Sequence, residues 1–116
     1  MEMVHFTIQT ARFEEEIQFY EKYVGLTIKR DMRGGDMDIV FLGDEAGGTL
    51  VEIINNETVE SAGGDGVSIG FHTDDIEAKR VELQMAGVQV TPVLVPSPGV
   101  KFFFAKDPAG VTVQFI

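Results

Sequence analysis

The chain has 116 residues, 19 acidic against 9 basic side chains for a net charge of −10, no cysteine and no tryptophan. One core of ordinary domain size fits this length without staples, and a second full domain does not. Lack of cysteine excludes disulfides, thiolate metal sites and cysteine nucleophiles; the negative field excludes nucleic-acid binding by a basic face; the 44% hydrophobic fraction excludes disorder.

Met1 to Thr10 has no basic start, and Glu2, His5 and Gln9 interrupt its apolar residues, so it does not read as a secretory segment. No run reaches the length of a membrane span, and the expected location is the cytoplasm. Val4, Phe6 and Ile8 alternate with His5, Thr7 and Gln9, which predicts a two-faced strand. A helix follows, with Phe13, Ile17, Tyr20 and Val24 inward, Glu14, Glu15, Glu16, Glu21 and Lys22 mainly outward, and Gly25 as its C-cap. Strands are predicted at Leu26 to Arg30, Asp38 to Leu42 and Thr49 to Ile54, separated by glycine pairs, so the first half reads βαβββ.

Asn55 to Gly66 is polar and glycine-bearing and reads as a linker. The pattern then repeats. Val67, Ile69 and Phe71 alternate with Ser68, Gly70 and His72; Asp74 and Glu77 suggest a capping box; Ile76 and Leu83 face inward on a helix ending at Gly87. Strands at Val88 to Val95, Val100 to Lys106 and Val111 to Ile116 complete the unit, with Pro92, Pro96 and Pro98 confining the first of them to an edge. Gly25 and Gly87 stand 62 positions apart, as do Glu52 and Gln114, while His5 and Ser68 stand 63 apart, which marks an internal duplication. One helix covers one face of a four-stranded sheet, so two such units leave a concave sheet face on which function is to be sought.

Three segments, together with the duplication, resemble the vicinal oxygen chelate superfamily, which includes glyoxalase I, extradiol dioxygenases, fosfomycin-resistance enzymes and bleomycin-resistance proteins. They are Met3-Val4-His5-Phe6, Ile17-Gln18-Phe19-Tyr20 leading into Gly25-Leu26, and the turn Asp107-Pro108-Ala109-Gly110. The likeness covers nearly the whole chain. It implies an α+β fold of two tandem βαβββ units, about 1–54 and 67–116, forming a curved mixed sheet, a glyoxalase-like cup or half-barrels, with helices on the outer face.

Metal-using members place four ligands on the concave face. Carried over, these positions fall on His5, Glu52, Ser68 and Gln114. Strand parity agrees for the first two, because His5 shares its face with Thr7 and Gln9, and Glu52 shares its face with Leu50 and Ile54. His5 and Glu52 suit a divalent metal, and Gln114 could add an amide oxygen, but Ser68 replaces a histidine and Gln114 a glutamate. His72 cannot substitute for Ser68, since four strand residues separate them by ~13 Å. Gln9 stands where bacterial glyoxalases have an arginine, which leaves a carboxylate clamp missing unless Arg12 reaches in.

Two functions follow from the resemblance. The first is a divalent-metal lyase or isomerase of the lactoylglutathione lyase type, with His5, Glu52 and Gln114 around nickel, zinc, cobalt, manganese or iron and Glu52 as the catalytic base. The second is a metal-free binding protein of the bleomycin-resistance kind that holds a cationic small molecule. Ser68, His72, Gln9 and Phe103 are the expected ligand-lining residues, Phe103 because three consecutive phenylalanines cannot all face the helix. The acidic surplus at Glu14, Glu15, Glu16, Asp44, Glu45, Asp74 and Asp75 is read as solvated helix and turn charge, leaving Glu52 as the carboxylate at the site. Exposed strand edges and the family habit both suggest a homodimer, with cups formed within one chain or across two.

Overall fold

Strand β1 (His5–Thr10) buries Ile8 and Thr10 on one side and exposes His5, Thr7 and Gln9 on the other. That alternation sets the plan of everything after it. The computed structural model describes residues 1–116, which divide into two compact units, Met1–Ala62 and Gly63–Ile116.

In unit 1, helix α1 (Phe13–Phe19) runs into one wider π turn, Tyr20–Val24, and stops at Gly25, whose φ of 83° is the left-handed conformation glycine adopts at little cost. Strands β2 (Thr27–Asp31), β3 (Ile39–Gly43) and β4 (Leu50–Asn55) complete a sheet in the order β1-β4-β3-β2, with β1 parallel to β4 and the other pairs antiparallel. Ile8, Val40, Leu42, Val51 and Ile53 form the buried sheet face, and Phe13, Ile17, Phe19 and Tyr20 are the buried residues of the helix.

The helix departs from expectation in two ways. The wider turn accommodates Phe19 as well as Tyr20 in the core, with their rings in edge contact at 5.4 Å. Glu16, expected outward, is completely buried, because positions 13, 16, 17 and 20 lie on one helical face. The expected linker is not free chain at its start: Asn56 N–H donates to Thr10 O at 3.0 Å and Ala11 N–H to Val59 O at 2.9 Å. The β2–β3 loop is latched by Arg33, which binds both carboxylate oxygens of Asp31 and reaches Glu14 of α1 at 3.2 Å.

Unit 2 repeats the topology. Strand β5 (Ser68–Phe71), helix α2 (Ile76–Met85), and strands β6 (Leu94–Ser97), β7 (Val100–Lys106) and β8 (Thr112–Phe115) give the order β5-β8-β7-β6, with β5 parallel to β8. The fold is therefore α+β with tandem βαβββ units. Ile76 and Leu83 of α2 and Phe103, Ala105, Val113 and Phe115 of the sheet are buried, and the Phe103 and Phe115 rings stack at 5.2 Å.

The helix cap is Asp75 rather than Asp74. An N-cap carboxylate serves the amide three residues on, and Asp75 accepts from Ala78 N–H at 3.0 Å. Glu77 is thereby freed from a capping box and pairs with Lys101 at 2.6 Å. The strand expected at Val88 to Val95 is reduced to one bridge, Val90 with Ala105, and the strand lies later, at Leu94–Ser97. Thr91 meets Phe104 twice, its N–H donating to Phe104 O at 2.9 Å and its hydroxyl accepting from Phe104 N–H at 3.0 Å; Pro92 has no N–H to continue the ladder, and the later strand takes the edge, where Pro96 is tolerated.

The turn before β8 is fixed by Asp107, which is buried and accepts from Val111 N–H at 2.8 Å through its side chain and from Gly110 N–H at 3.0 Å through its carbonyl. Replacing Asp107 by Ala strands a buried amide donor, and is expected to lower unfolding free energy by about 1–3 kcal/mol in a denaturant titration, against under 0.5 kcal/mol for exposed Asp65→Ala. A second expectation concerns the Arg33 latch. Hydrogen bonding from the Arg33 side chain, aided by its backbone N–H, lowers the Asp31 pKa from 3.8 to about 2. A depressed carboxylate pKa stabilises the fold fully above the ordinary value and ceases to do so as pH falls through about 2. Carboxyl NMR titration should place the Asp31 midpoint near 2, returning toward 3.8 in Arg33→Ala; an unchanged midpoint in the variant would refute the assignment.

Candidate functional site

On the open face of unit 1, register places Thr7 beside Glu52 and Glu52 beside Phe41. The Thr7 hydroxyl donates to Glu52 Oε1 at 2.6 Å, and His5 Nε2 stands 3.5 Å from the same oxygen. The His5 ring also meets the Phe41 ring edge-on at 6.0 Å. The Glu52 side chain is only 13% exposed, against 40% for His5. Both contacts use Oε1, so Oε2 is the carboxylate atom available to a ligand. Three elements thus position one largely buried anion whose second oxygen can accept a hydrogen bond or meet a cation.

The equivalent face of unit 2 has different chemistry. Ser68 pairs in register with Thr112, and Gly70 with Gln114, so the two carried-over positions sit one row apart on adjacent strands. Gln114 lies over Gly70: a Cβ built there would come within 3.2 Å of Gln114 Oε1, and glycine leaves the amide that room. Across β8 and β7 the rows continue to Lys106 and Phe104. Lys106 Nζ donates to Thr112 Oγ1 at 2.6 Å.

Of the remaining predicted residues, Gln9 accepts from Asn56 Nδ2 at 2.9 Å, and Arg12 pairs with Glu15 at 3.3 Å. His72 lies past the end of β5, highly exposed, 3.1 Å from Asp74. Phe103 requires a correction. It is fully buried and stacked on Phe115, because strand parity turns positions 103 and 105 toward the core and gives the open face to Phe102 and Phe104. The open faces also carry Thr7, Phe41, Phe104, Lys106 and Thr112, which the sequence reading does not single out. Parity with His5 marks Thr7, and the 62–63 residue offset aligns Lys106 with Gly43 and Thr112 with Leu50, but the register itself had to be seen.

A divalent transition metal asks for three or four protein donors. Nowhere do three His, Asp or Glu side chains come together. Unit 1 offers His5 and Glu52, and unit 2 offers at the matching positions a hydroxyl and an amide, with an ammonium in the Ser68 row. Neither unit's donors fit a tightly held zinc, nickel or iron ion.

A tandem βαβββ protein with an open sheet face in each unit has the glyoxalase-like fold. The sequence profile of the Glyoxalase/Bleomycin resistance protein/Dioxygenase superfamily matches residues 2–115, and the chain belongs to that superfamily. Among solved structures it is similar to a possible glyoxalase from Bacillus cereus, at 23% identity and TM-score 0.77 over 100% of this chain and 98% of that one. It is also similar to TnmS3, an antibiotic binding protein from Streptomyces sp. CB03234, at 20% identity and TM-score 0.76 over 99% and 93% of the two chains. A third likeness is to the trypanothione-dependent glyoxalase I of Leishmania major, at 23% identity and TM-score 0.75 over 100% and 86%. At these identities the likenesses speak for the fold alone. The search of curated proteins gives no match. No helix is long and apolar enough to cross a membrane.

The two sides of β7 can be separated by mutation. Phe103→Ala, which opens a cavity beneath α2, is expected to cost about 3–5 kcal/mol of unfolding free energy, whereas Phe104→Ala, on the open face, should cost less than half as much. Equal losses in denaturant titration would contradict the assignment of faces.

Proposed function

We propose that the chain is a small-molecule binding protein of the superfamily, using Glu52 to hold a cationic, partly aromatic ligand without a metal ion. The observation that carries this reading is the state of Glu52: largely buried, oriented through Oε1 by Thr7 and His5, and left with Oε2 for an incoming positive group. Phe41, next to Glu52 in register and touching His5, supplies an aromatic neighbour for a cation or a ring. TnmS3, an antibiotic binding protein, has a similar fold, which supports a small-molecule ligand. A net charge of −10 adds long-range attraction for cations. Assembly as a homodimer belongs to the same proposal, since β1 and β2 leave both edges of the first sheet unpaired.

The rival reading is a divalent-metal lyase of the lactoylglutathione lyase type, with Gln114 as a further donor. It is favoured by the 3.5 Å approach of His5 Nε2 to Glu52 Oε1, close to the spacing of two donors sharing one ion.

One set of measurements separates the two. A thermal-shift screen against basic glycopeptide and aromatic antibiotics should reveal a stabilising ligand, worth about 2.7 kcal/mol at a hundredfold excess over Kd, whose effect weakens with salt and disappears in Glu52→Gln. Calorimetric titration with nickel, zinc, cobalt, manganese and iron should show nothing tighter than millimolar. Tight metal binding that is lost in Glu52→Ala would reverse the choice, and no stabilisation by any cation would remove the binding proposal.

A further inference from the structure

The two units match residue for residue on their open faces, and the places where they differ are informative. Glu52 corresponds to Gln114 and Phe41 to Phe104, each pair flanked in register in the same way. In unit 1 the next row is apolar: Gly43 lies beside Leu50, so close that a Cβ on Gly43 would meet Leu50 Cδ2 at 2.6 Å. In unit 2 that row holds Lys106 and Thr112. The fold therefore has no need of a lysine there, and the unit that lacks the acid carries a base.

Lys106 is half-buried, and its hydrogen-bond partner is the Thr112 hydroxyl rather than any of the 19 acidic side chains. An ammonium with a neutral partner retains donor capacity, since it has three protons and Thr112 takes one. Thr112, its oxygen occupied by that bond, can turn its own proton toward the same acceptor. A pocket of about 70 Å³ opens here, lined by Lys106, Thr112, Phe104, Thr91 and Gln89. A water needs ~10–15 Å³ of such space, so the pocket has room for a small polar group such as a carboxylate. The rest of the molecule would then lie against Phe104 and Phe102, half-exposed rings in edge contact at 5.5 Å.

We infer that the open face of unit 2 is a binding site for a small aromatic carboxylate, held by Lys106 Nζ and the Thr112 hydroxyl with its ring against Phe104. The inference is argued from residues of unit 2 alone and does not depend on the reading of Glu52.

The test is a two-dimensional amide NMR titration of the full chain with benzoate, and with benzamide as its neutral isostere. Benzoate should shift the amides of Thr91, Phe104, Lys106 and Thr112, and bind ~10-fold or more tightly than benzamide, as a charge-assisted hydrogen bond requires. Lys106→Met should weaken benzoate ~10-fold or more, Thr112→Val less, and Lys106→Arg within ~3-fold of the parent. Benzoate is read on the amides of unit 2 and the cationic ligand by thermal shift, so failure of this inference is distinguishable from failure of the cationic-ligand reading, and exposed Asp65→Ala should leave benzoate binding unchanged. Shifts confined to other residues, equal affinity for benzoate and benzamide, or undiminished binding by Lys106→Met would overturn the inference. If Lys106→Met does not fold, the benzoate to benzamide ratio on the parent chain and the Lys106→Arg result decide it.

Discussion

A four-stranded sheet has two faces, and a single short helix can bury only one of them. Strands β1, β3, β4, β7 and β8 are written around that limit: Ile8, Val40, Leu42, Val51 and Ile53 in the first unit, Phe103, Ala105, Val113 and Phe115 in the second, all on the helix side and all buried. The opposite parity is released from packing duty, and His5, Thr7, Glu52, Lys106, Thr112 and Gln114 occupy it. Fixed covering and free face are two results of one alternation. For this reason a polar substitution on the open face and one a single residue away have unrelated consequences.

Duplication makes the free faces comparable. The shared register shows that Glu52 and Gln114 are the same position twice, as are Phe41 and Phe104. Aromatic character is kept at one, charge at the other is lost, and a lysine stands where its counterpart is Gly43. The two faces thus differ in sign: an oriented carboxylate on one, an ammonium with a hydroxyl on the other. A chain of net charge −10 attracts cations from a distance, but the contacts that select a ligand are set within a few ångströms, where the two units are not alike.

Much of the fold was legible in the sequence because period-two and helical spacing are local. Gly25 ends its helix with positive φ, and the turn from Asp107 to Gly110 forms by short-range bonds. The misreadings share a different cause. Charge argues for Glu16 outward, whereas its spacing puts it among Phe13, Ile17 and Tyr20. The three adjacent rings of Phe102, Phe103 and Phe104 look equivalent in the sequence until neighbouring strands fix their parity. The sixth strand shifted because losing an N–H at Pro92 affects the partner strand, which linear reading does not display. Of the candidate site, His5 and Glu52 could be matched to a pattern, whereas the Thr7 to Glu52 bond joins residues 45 apart and depends on register.

That same separation makes unit 1 slow to complete. Strand β1 emerges first yet lies beside β4, so its edge has no partner until the helix, the β2–β3 hairpin and β4 itself have been made. Closing so long a loop is paid in chain entropy before any contact rewards it. The carboxylate cradle therefore appears only when the last strand docks on the first. A molecule that grips Glu52 and the strand bearing Thr7 and His5 would rivet together the first and last strands of the unit.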